Sequence, residues 1–411
     1  MEERTIRREQ LEPTAGFRRM MQLSLWAGGF GLAAAVFFGY TADSTLRRFF
    51  FAYLVSFTYF LSISLGALFF VMLQHLTRAG WSVGVRRSAE NLAAAIPLLA
   101  VLAAPILLSV LVNPGGLYPW AHHMAAEGGA AEEPLANRWF LNSGVFIVSM
   151  LICFGTWSWL GIWFRRLSVK QDDMPDARLT MRMQGVAAPG MVVLALTLTI
   201  AAIAMLMSLD PEWSSTMFGV YFFSGSAVAI FASLIVIVAI LQSAGYLTRS
   251  ITIEHFHDLG KFLFAFVFFW GYIAFSQFML LWYANIPEET GWFVRHGASS
   301  VDINGWTVIL LVLLAGHLIL PFAGLLSRHV KRTRGTLIFW AGWLLIFHWI
   351  DLYWLIMPQF DEQVHVGIVD LACLIGIGGV YVAAVIKIAM QNDLRPVGDP
   401  RLVESLTFEN I

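Results

Sequence analysis

The sequence predicts an all-α polytopic membrane protein of about ten transmembrane helices. Three observations predict it: an apolar composition, ten apolar stretches of spanning length, and basic residues confined to alternate loops. Of 411 residues, 58% are hydrophobic and only 13% are charged. A soluble domain carries about 25% charged residues because its surface must face water. Here lipid takes the place of water.

A hydrocarbon core about 30 Å thick takes roughly 20 apolar residues per helix. Such stretches lie at 20–40, 49–72, 91–113, 140–165, 186–208, 217–241, 259–283, 306–327, 336–357 and 365–388. They make a transmembrane domain over 20–390, between an N-terminal segment 1–19 and a C-terminal tail 391–411. The first and last spans flank eight others, grouped by order along the chain as two four-helix bundles, 49–208 and 217–357.

Of the 26 Lys and Arg, all but Arg47, Arg48, Arg138 and Arg295 fall in the terminal segments and every second loop. Cytoplasmic loops carry that excess. An odd number of spans would scramble the alternation, so an even number with both termini in the cytoplasm is expected. The first ten residues, with three Arg and three Glu, lead into no short apolar stretch with a small-residue cleavage site. The first span is therefore expected to be retained.

The two cysteines, Cys153 and Cys373, lie far apart inside apolar spans, without CxxC, CxxCH or a four-cysteine set. That composition excludes iron–sulfur clusters and covalently attached haem on this chain. Both cysteines read as small buried hydrophobes. The longest polar connections, 113–139, 165–185 and 284–305, are too short to hide a soluble domain. The first of these, with Pro114, Gly115, Gly116, Pro119, Glu127, Glu132 and Glu133, reads as an irregular outer loop suited to docking an extrinsic partner. Trp120, Trp292, Trp306 and Trp354 fall at outer boundaries and Trp81 at the inner one, positions that read as interface anchors. There is no P-loop, no dinucleotide fingerprint and no nucleophile constellation in a soluble loop. No nucleic-acid partner is expected.

Ionisable groups at membrane depth cost at least about 2.5 kcal/mol each on insertion scales, which makes each a candidate site residue. His317 in the eighth span and His348 in the ninth both fall near the midplane. Asp351 follows His348 by one helical turn on the same face, and Asp370 enters the tenth span at a depth close to that of Asp351, so the two carboxylates are expected to be neighbours. Low-dielectric burial brings carboxylate proton exchange toward neutral pH, where His exchanges already. A chain of His348, His317, Asp351 and Asp370, supported by Tyr272 and Gln277 on the seventh span, can pass protons or bind a quinol headgroup. Buried polar groups also simply tie helices together.

The inner end of the seventh span carries Glu254, His257, Asp258 and Lys261, whose spacing sets Glu254 beside Asp258 and His257 beside Lys261. The group reads either as the mouth of a proton path or as a charged collar at the membrane surface. Glu254-x-x-His257 has half the pattern of a carboxylate di-metal site, but no second Glu-x-x-His accompanies it. No metal site is assigned. His317 and His348 at matched depth also suit axial ligation of a b-type haem; Ala315 and Gly316 leave room beside the first, whereas Trp349 crowds the second.

The segments Leu73-Gln74-His75-Leu76-Thr77-Arg78-Ala79-Gly80-Trp81 and Met207-Ser208-Leu209-Asp210-Pro211-Glu212-Trp213, and the run from His255 through Ile286-Pro287-Glu288-Glu289, resemble alternative complex III. So does Ile350-Asp351-Leu352-Tyr353-Trp354. Over about 20–390 the chain looks like the second of that assembly's two quinone-binding-type membrane subunits, within the NrfD-like or polysulfide-reductase membrane-anchor family. The resemblance implies a bacterial inner-membrane assembly that oxidises quinol, usually menaquinol, for a periplasmic acceptor. It implies partners: a homologous ten-helix subunit, an iron–sulfur protein and multi-haem cytochrome c subunits. Iron–sulfur clusters and haem c would then lie on those partners, with no redox cofactor on this chain. The resemblance also implies that the homologous subunit is the better candidate for quinol oxidation, which leaves this one a proton-conducting or structural counterpart. A docking scaffold is the competing expectation. An ion-coupled transporter is a third, against which stands the lack of paired, unwound Gly/Pro segments, although Pro97, Pro105 and Pro189 interrupt spans.

Overall fold

The computed structural model describes residues 15–112, 116–121, 139–298 and 303–410, and every regular element among them is helical. Ten helical segments are long and apolar enough to cross a membrane: span 1 (Gly16–Ala42), span 2 (Arg47–Leu76), span 3 (Val83–Val112), span 4 (Ser143–Asp173), span 5 (Ala177–Leu209), span 6 (Phe218–Ser243), span 7 (Ile253–Ala284), span 8 (Gly305–Leu326), span 9 (Arg334–Gln359) and span 10 (Ile368–Ala389). The expected set is therefore found in number and order. Spans 3, 4, 5 and 7 extend beyond the apolar stretches by several residues, all at the ends that carry the basic loops. Helical hydrogen bonding continues there past the hydrocarbon, and the added turns carry the charges.

Span 3 is built of three pieces, Val83–Ala93, Ile96–Leu102 and Ala104–Val112. Pro97 and Pro105 each sit second in a new piece, where a missing N–H costs nothing. Pro189, by contrast, lies inside an unbroken helix in span 5.

Span 2 is the hub, packed against spans 3, 5, 6, 9 and 10. A Cβ on Gly66 would fall 2.4 Å from the Ser226 carbonyl oxygen, so the glycine lets the backbones of spans 2 and 6 touch. Span 1 seats on span 10 in the same way: a Cβ on Gly31 would lie 2.7 Å from Gly376 N, and one on Gly379 2.4 Å from Ser24 O. The other face of span 1 points outward, with Trp26 and Phe30 each 78% exposed.

The span ends form two faces. On the basic face, Arg86 pairs with Glu90 (3.2 Å) and Asp399, Arg87 pairs with Glu90 (3.0 Å) and Asp172 (2.8 Å), and Glu254 pairs with Arg332. The C-terminal tail folds back over this face: Ser405 Oγ donates to Trp81 O at 2.8 Å and accepts from Gly84 N–H at 3.1 Å. The Phe17 ring meets Tyr246 there, at 5.6 Å. Both described ends of the chain thus emerge on one face. On the opposite face, Arg48 pairs with Asp370, and Arg295 with Asp210 at 2.8 Å. Residues 1–14 and the loop acids Glu127, Glu132 and Glu133 lie outside the described residues.

The tryptophans correct the expectation of interface anchors. Trp120, Trp292, Trp306 and Trp354 are all buried, and Trp81 is half-buried, stacked on Phe262 at 6.0 Å. Trp292 stacks between Trp213 (4.2 Å) and His296 (3.6 Å), while Trp354 Nε1–H donates to His296 O at 2.9 Å. These rings cement the loop-side core of the bundle. Cys153 and Cys373 are both buried, as expected.

Candidate functional site

Five spans meet near mid-bundle around polar side chains, none more than 5% exposed: Ser62 on span 2, Tyr221 on span 6, Trp270 on span 7, His317 on span 8, and His348 with Asp351 on span 9. Asp351 Oδ1 accepts from Tyr221 OH at 2.5 Å, and Oδ2 from Trp270 Nε1–H at 3.3 Å. One turn away, His348 Nε2 lies 2.8 Å from Ser62 Oγ. The Ser62 hydroxyl has a single proton, which it donates to Tyr59 O at 2.7 Å. Ser62 therefore accepts from His348 Nε2–H, leaving Nδ1 of that ring with its lone pair bare. Gly225 makes room for the ring: a Cβ there would lie 2.9 Å from Cε1 and 3.2 Å from Nδ1.

His317 sits in a π-helical turn, Leu314–Ile319. Pro321 accounts for the turn, because it lacks the N–H that would reach the His317 carbonyl and its ring clashes with that oxygen. The imidazole packs on Trp270 with centroids 4.1 Å apart and lies 6.5 Å from the His348 ring. Among the described residues, neither nitrogen of His317 has a hydrogen-bond partner. An unsatisfied buried polar group costs about 1–3 kcal/mol, so the position is held against a folding cost. His317 and His348 are thus brought together as the sequence predicts, with Asp351 beside them. For axial haem ligation the site is poorly disposed: Nε2 of His348 is committed to Ser62, and the Phe347 ring fills the space beside Gly316, where a Cβ would come within 2.0 Å of it.

Other predicted residues stand apart. Asp370 lies in the first turn of span 10, which begins at Ile368 rather than 365; there it caps the helix through Gly367 N (2.8 Å) and pairs with Arg48. Asp370 Oδ2 takes Arg48 and Gly367, whereas the oxygens of Asp351 take Tyr221 and Trp270, so the expected carboxylate neighbours have separate partners. Tyr272 is 58% exposed, since two residues from inward-facing Trp270 is about 200° around the helix. Gln277 is buried but two turns from Trp270, about 10 Å along the axis, and accepts from Ser215 Oγ at 3.4 Å.

At the basic face the helical spacing expected is kept, since Glu254, His257, Asp258 and Lys261 share one continuous helix. Their direct polar contacts run to other partners: Glu254 is held by Arg332 (2.8 Å to Oε2), and Lys261 bonds Asp258 at 2.5 Å and Asn410 at 3.1 Å. His257 is buried, with no hydrogen-bond partner for Nδ1 among the described residues. From Asp258 to Trp270 is about 18 Å along span 7, and the inward residues between them are Leu259, Leu263 and Val267, all fully buried. An apolar layer separates this cluster from the central one.

The chain matches no model of a known protein family and no curated protein.

The sequence reading overlooked Ser62, Tyr221 and Trp270, which complete the central cluster, and the Arg86–Arg87–Glu90 network. Small and hydroxylic runs offered a signal for the first two: Ser62, Ser64 and Gly66 on span 2, and Ser224, Gly225 and Ser226 on span 6. Charges spaced three and four residues apart at the start of span 3 marked the second.

Proposed function

We propose that this chain is an integral membrane subunit of a quinol-oxidising assembly of the alternative complex III type, in which it supplies a proton path and carries no redox cofactor. The single observation that carries the reading is the buried cluster of Asp351, His348 and His317, three proton-exchanging groups from two adjacent spans with imidazole nitrogens left unpartnered among the described residues. Intramembrane ionisable groups of this kind mark ion and proton pathways. Asp351 holds or releases a proton between Tyr221 and Trp270, and His348 and His317 extend the relay across the bundle. Arg48 with Asp370 lies on the far side. Glu254 and Lys261 act as a charged collar around His257 and Asp258.

The wider arrangement belongs to the same proposal: a bacterial inner membrane, both termini in the cytoplasm, two four-helix groups flanked by spans 1 and 10, a homologous membrane partner, and iron–sulfur and multi-haem cytochrome c subunits carrying electrons from menaquinol. The excess of basic residues on one face supports the orientation. The resemblance of the sequence supports the partners. A docking scaffold is the second reading, favoured by the outward aromatic face of span 1.

Asp351→Asn separates the two. In an assembled complex with its haem spectrum intact, the variant should lose at least tenfold in quinol turnover or in proton translocation. Full turnover and full proton movement would remove the path from this chain and leave the scaffold.

A further inference from the structure

A second feature lies between spans 1, 2, 3, 6, 9 and 10, where a cavity of about 330 Å³ runs from the bundle middle, at Ile63 and Leu345, to the basic face, at Phe17 and Leu394. That volume falls in the range of small-ligand sites. Ile240 and Val382 line it while being 53% and 41% exposed, so it opens sideways toward lipid between spans 6 and 10.

The walls are aliphatic and aromatic, apart from a few polar groups. Ser88, Asn91 and Ser233 line the cavity and are each more than nine-tenths buried. The hydroxyls of Ser88 and Ser233 have no hydrogen-bond partner among the described residues, and Asn91 uses only Oδ1, accepting from Arg165 Nε–H at 3.1 Å. Helical serines usually donate to a carbonyl of the preceding turn; these two are free for a ligand. A water needs two to four polar partners, and most of this wall offers none. At the basic end, Arg18, Arg19 and Lys387 are exposed and without ion pairs among the described residues.

We infer that the cavity seats one acyl chain of an anionic phospholipid from the leaflet at the basic face. The chain fills the apolar volume, an ester carbonyl accepts from Ser88 or Asn91, and the phosphate lies among Arg18, Arg19 and Lys387. Cations at a membrane surface favour such headgroups. The inference is independent of the proton path, because neither His348 nor Asp351 lines the cavity.

The test uses the full chain in vesicles of phosphatidylethanolamine and phosphatidylglycerol, with a diazirine in one acyl chain. Phosphatidylglycerol probe should give adducts on Ile237, Leu345 and Val385 by peptide mass spectrometry. Filling the cavity with Ile237→Phe and Val385→Phe should cut those adducts at least tenfold, with unchanged labelling at Trp26 and Phe30 as the control for folding. Replacing Arg18, Arg19 and Lys387 by Gln should reduce the preference for phosphatidylglycerol over phosphatidylethanolamine several-fold. Wild-type labelling confined to the outward face, equal labelling by both headgroups, or displacement of the adducts by a quinone analogue would each overturn the assignment.

Discussion

The α-carbon of Gly225 faces the edge of the His348 imidazole so closely that a Cβ would stand 2.9 Å from Cε1. Gly225→Ala should therefore push the ring off Ser62. Overpacking of this kind costs about 1–3 kcal/mol. The expected outcome is a lower unfolding temperature together with reduced turnover. Gly29→Ala is the control, because nothing lies within 4 Å of a Cβ there, and it should leave both unchanged.

Tyr221→Phe removes the hydroxyl that donates to Asp351 Oδ1 and leaves Trp270 as the donor to that carboxyl. Loss of a hydrogen bond to a charged group costs about 1.5–3 kcal/mol. Infrared difference spectra should show a displaced Asp351 carboxyl band, absent in Asp351→Asn. An unmoved band would disconnect the two residues.

Arg48 and Asp370 form an ion pair with side chains only 11% and 2% exposed. Removing one partner of a buried pair costs about 3–5 kcal/mol, whereas replacing both can be close to neutral. Asp370→Asn should be the more damaging change, and Arg48→Gln added to it should restore part of the loss. Equal damage in single and double variants would make the pair energetically irrelevant.

His296 lies between spans 7 and 8, buried against Trp292 and Trp354. Its Nδ1–H donates to Trp292 O at 2.7 Å. Burial holds the imidazole at about 3, below its ordinary 6.5. The folded state therefore favours the neutral ring. Stability from it is complete above pH 6.5 and is lost as pH falls toward 3, by up to ~1.4 kcal/mol per unit. Tryptophan fluorescence should report loosening of this corner in acid, and His296→Phe should flatten the profile.

The ten spans were legible because each is a long apolar stretch, and hydropathy reads length well. It does not read direction. A lipid-facing Trp and a core Trp are equally apolar to it, which is why Trp292 and Trp354 were placed at the lipid boundary although both are buried. Depth was legible too, and it joined His317 to His348. Rotation was not: Tyr272 and Trp270 differ by two residues, yet only Trp270 reaches the centre. Partners on distant spans, such as Ser62 for His348 and Arg48 for Asp370, leave no mark in local sequence. Arg86 and Arg87 were counted as loop charges, whereas both are buried inside the span they open.

The π turn at Leu314–Ile319 holds one more residue per turn than its neighbours. Such a surplus is mobile currency along a helix axis: passing it one turn on would swivel His317 by about 100°, away from Trp270 and off the axis it shares with His348. Pro321 pins the surplus where it is. Without that pin the imidazole would be free to face either the interior or the lipid, so a single ring of proline keeps one imidazole aimed at the other.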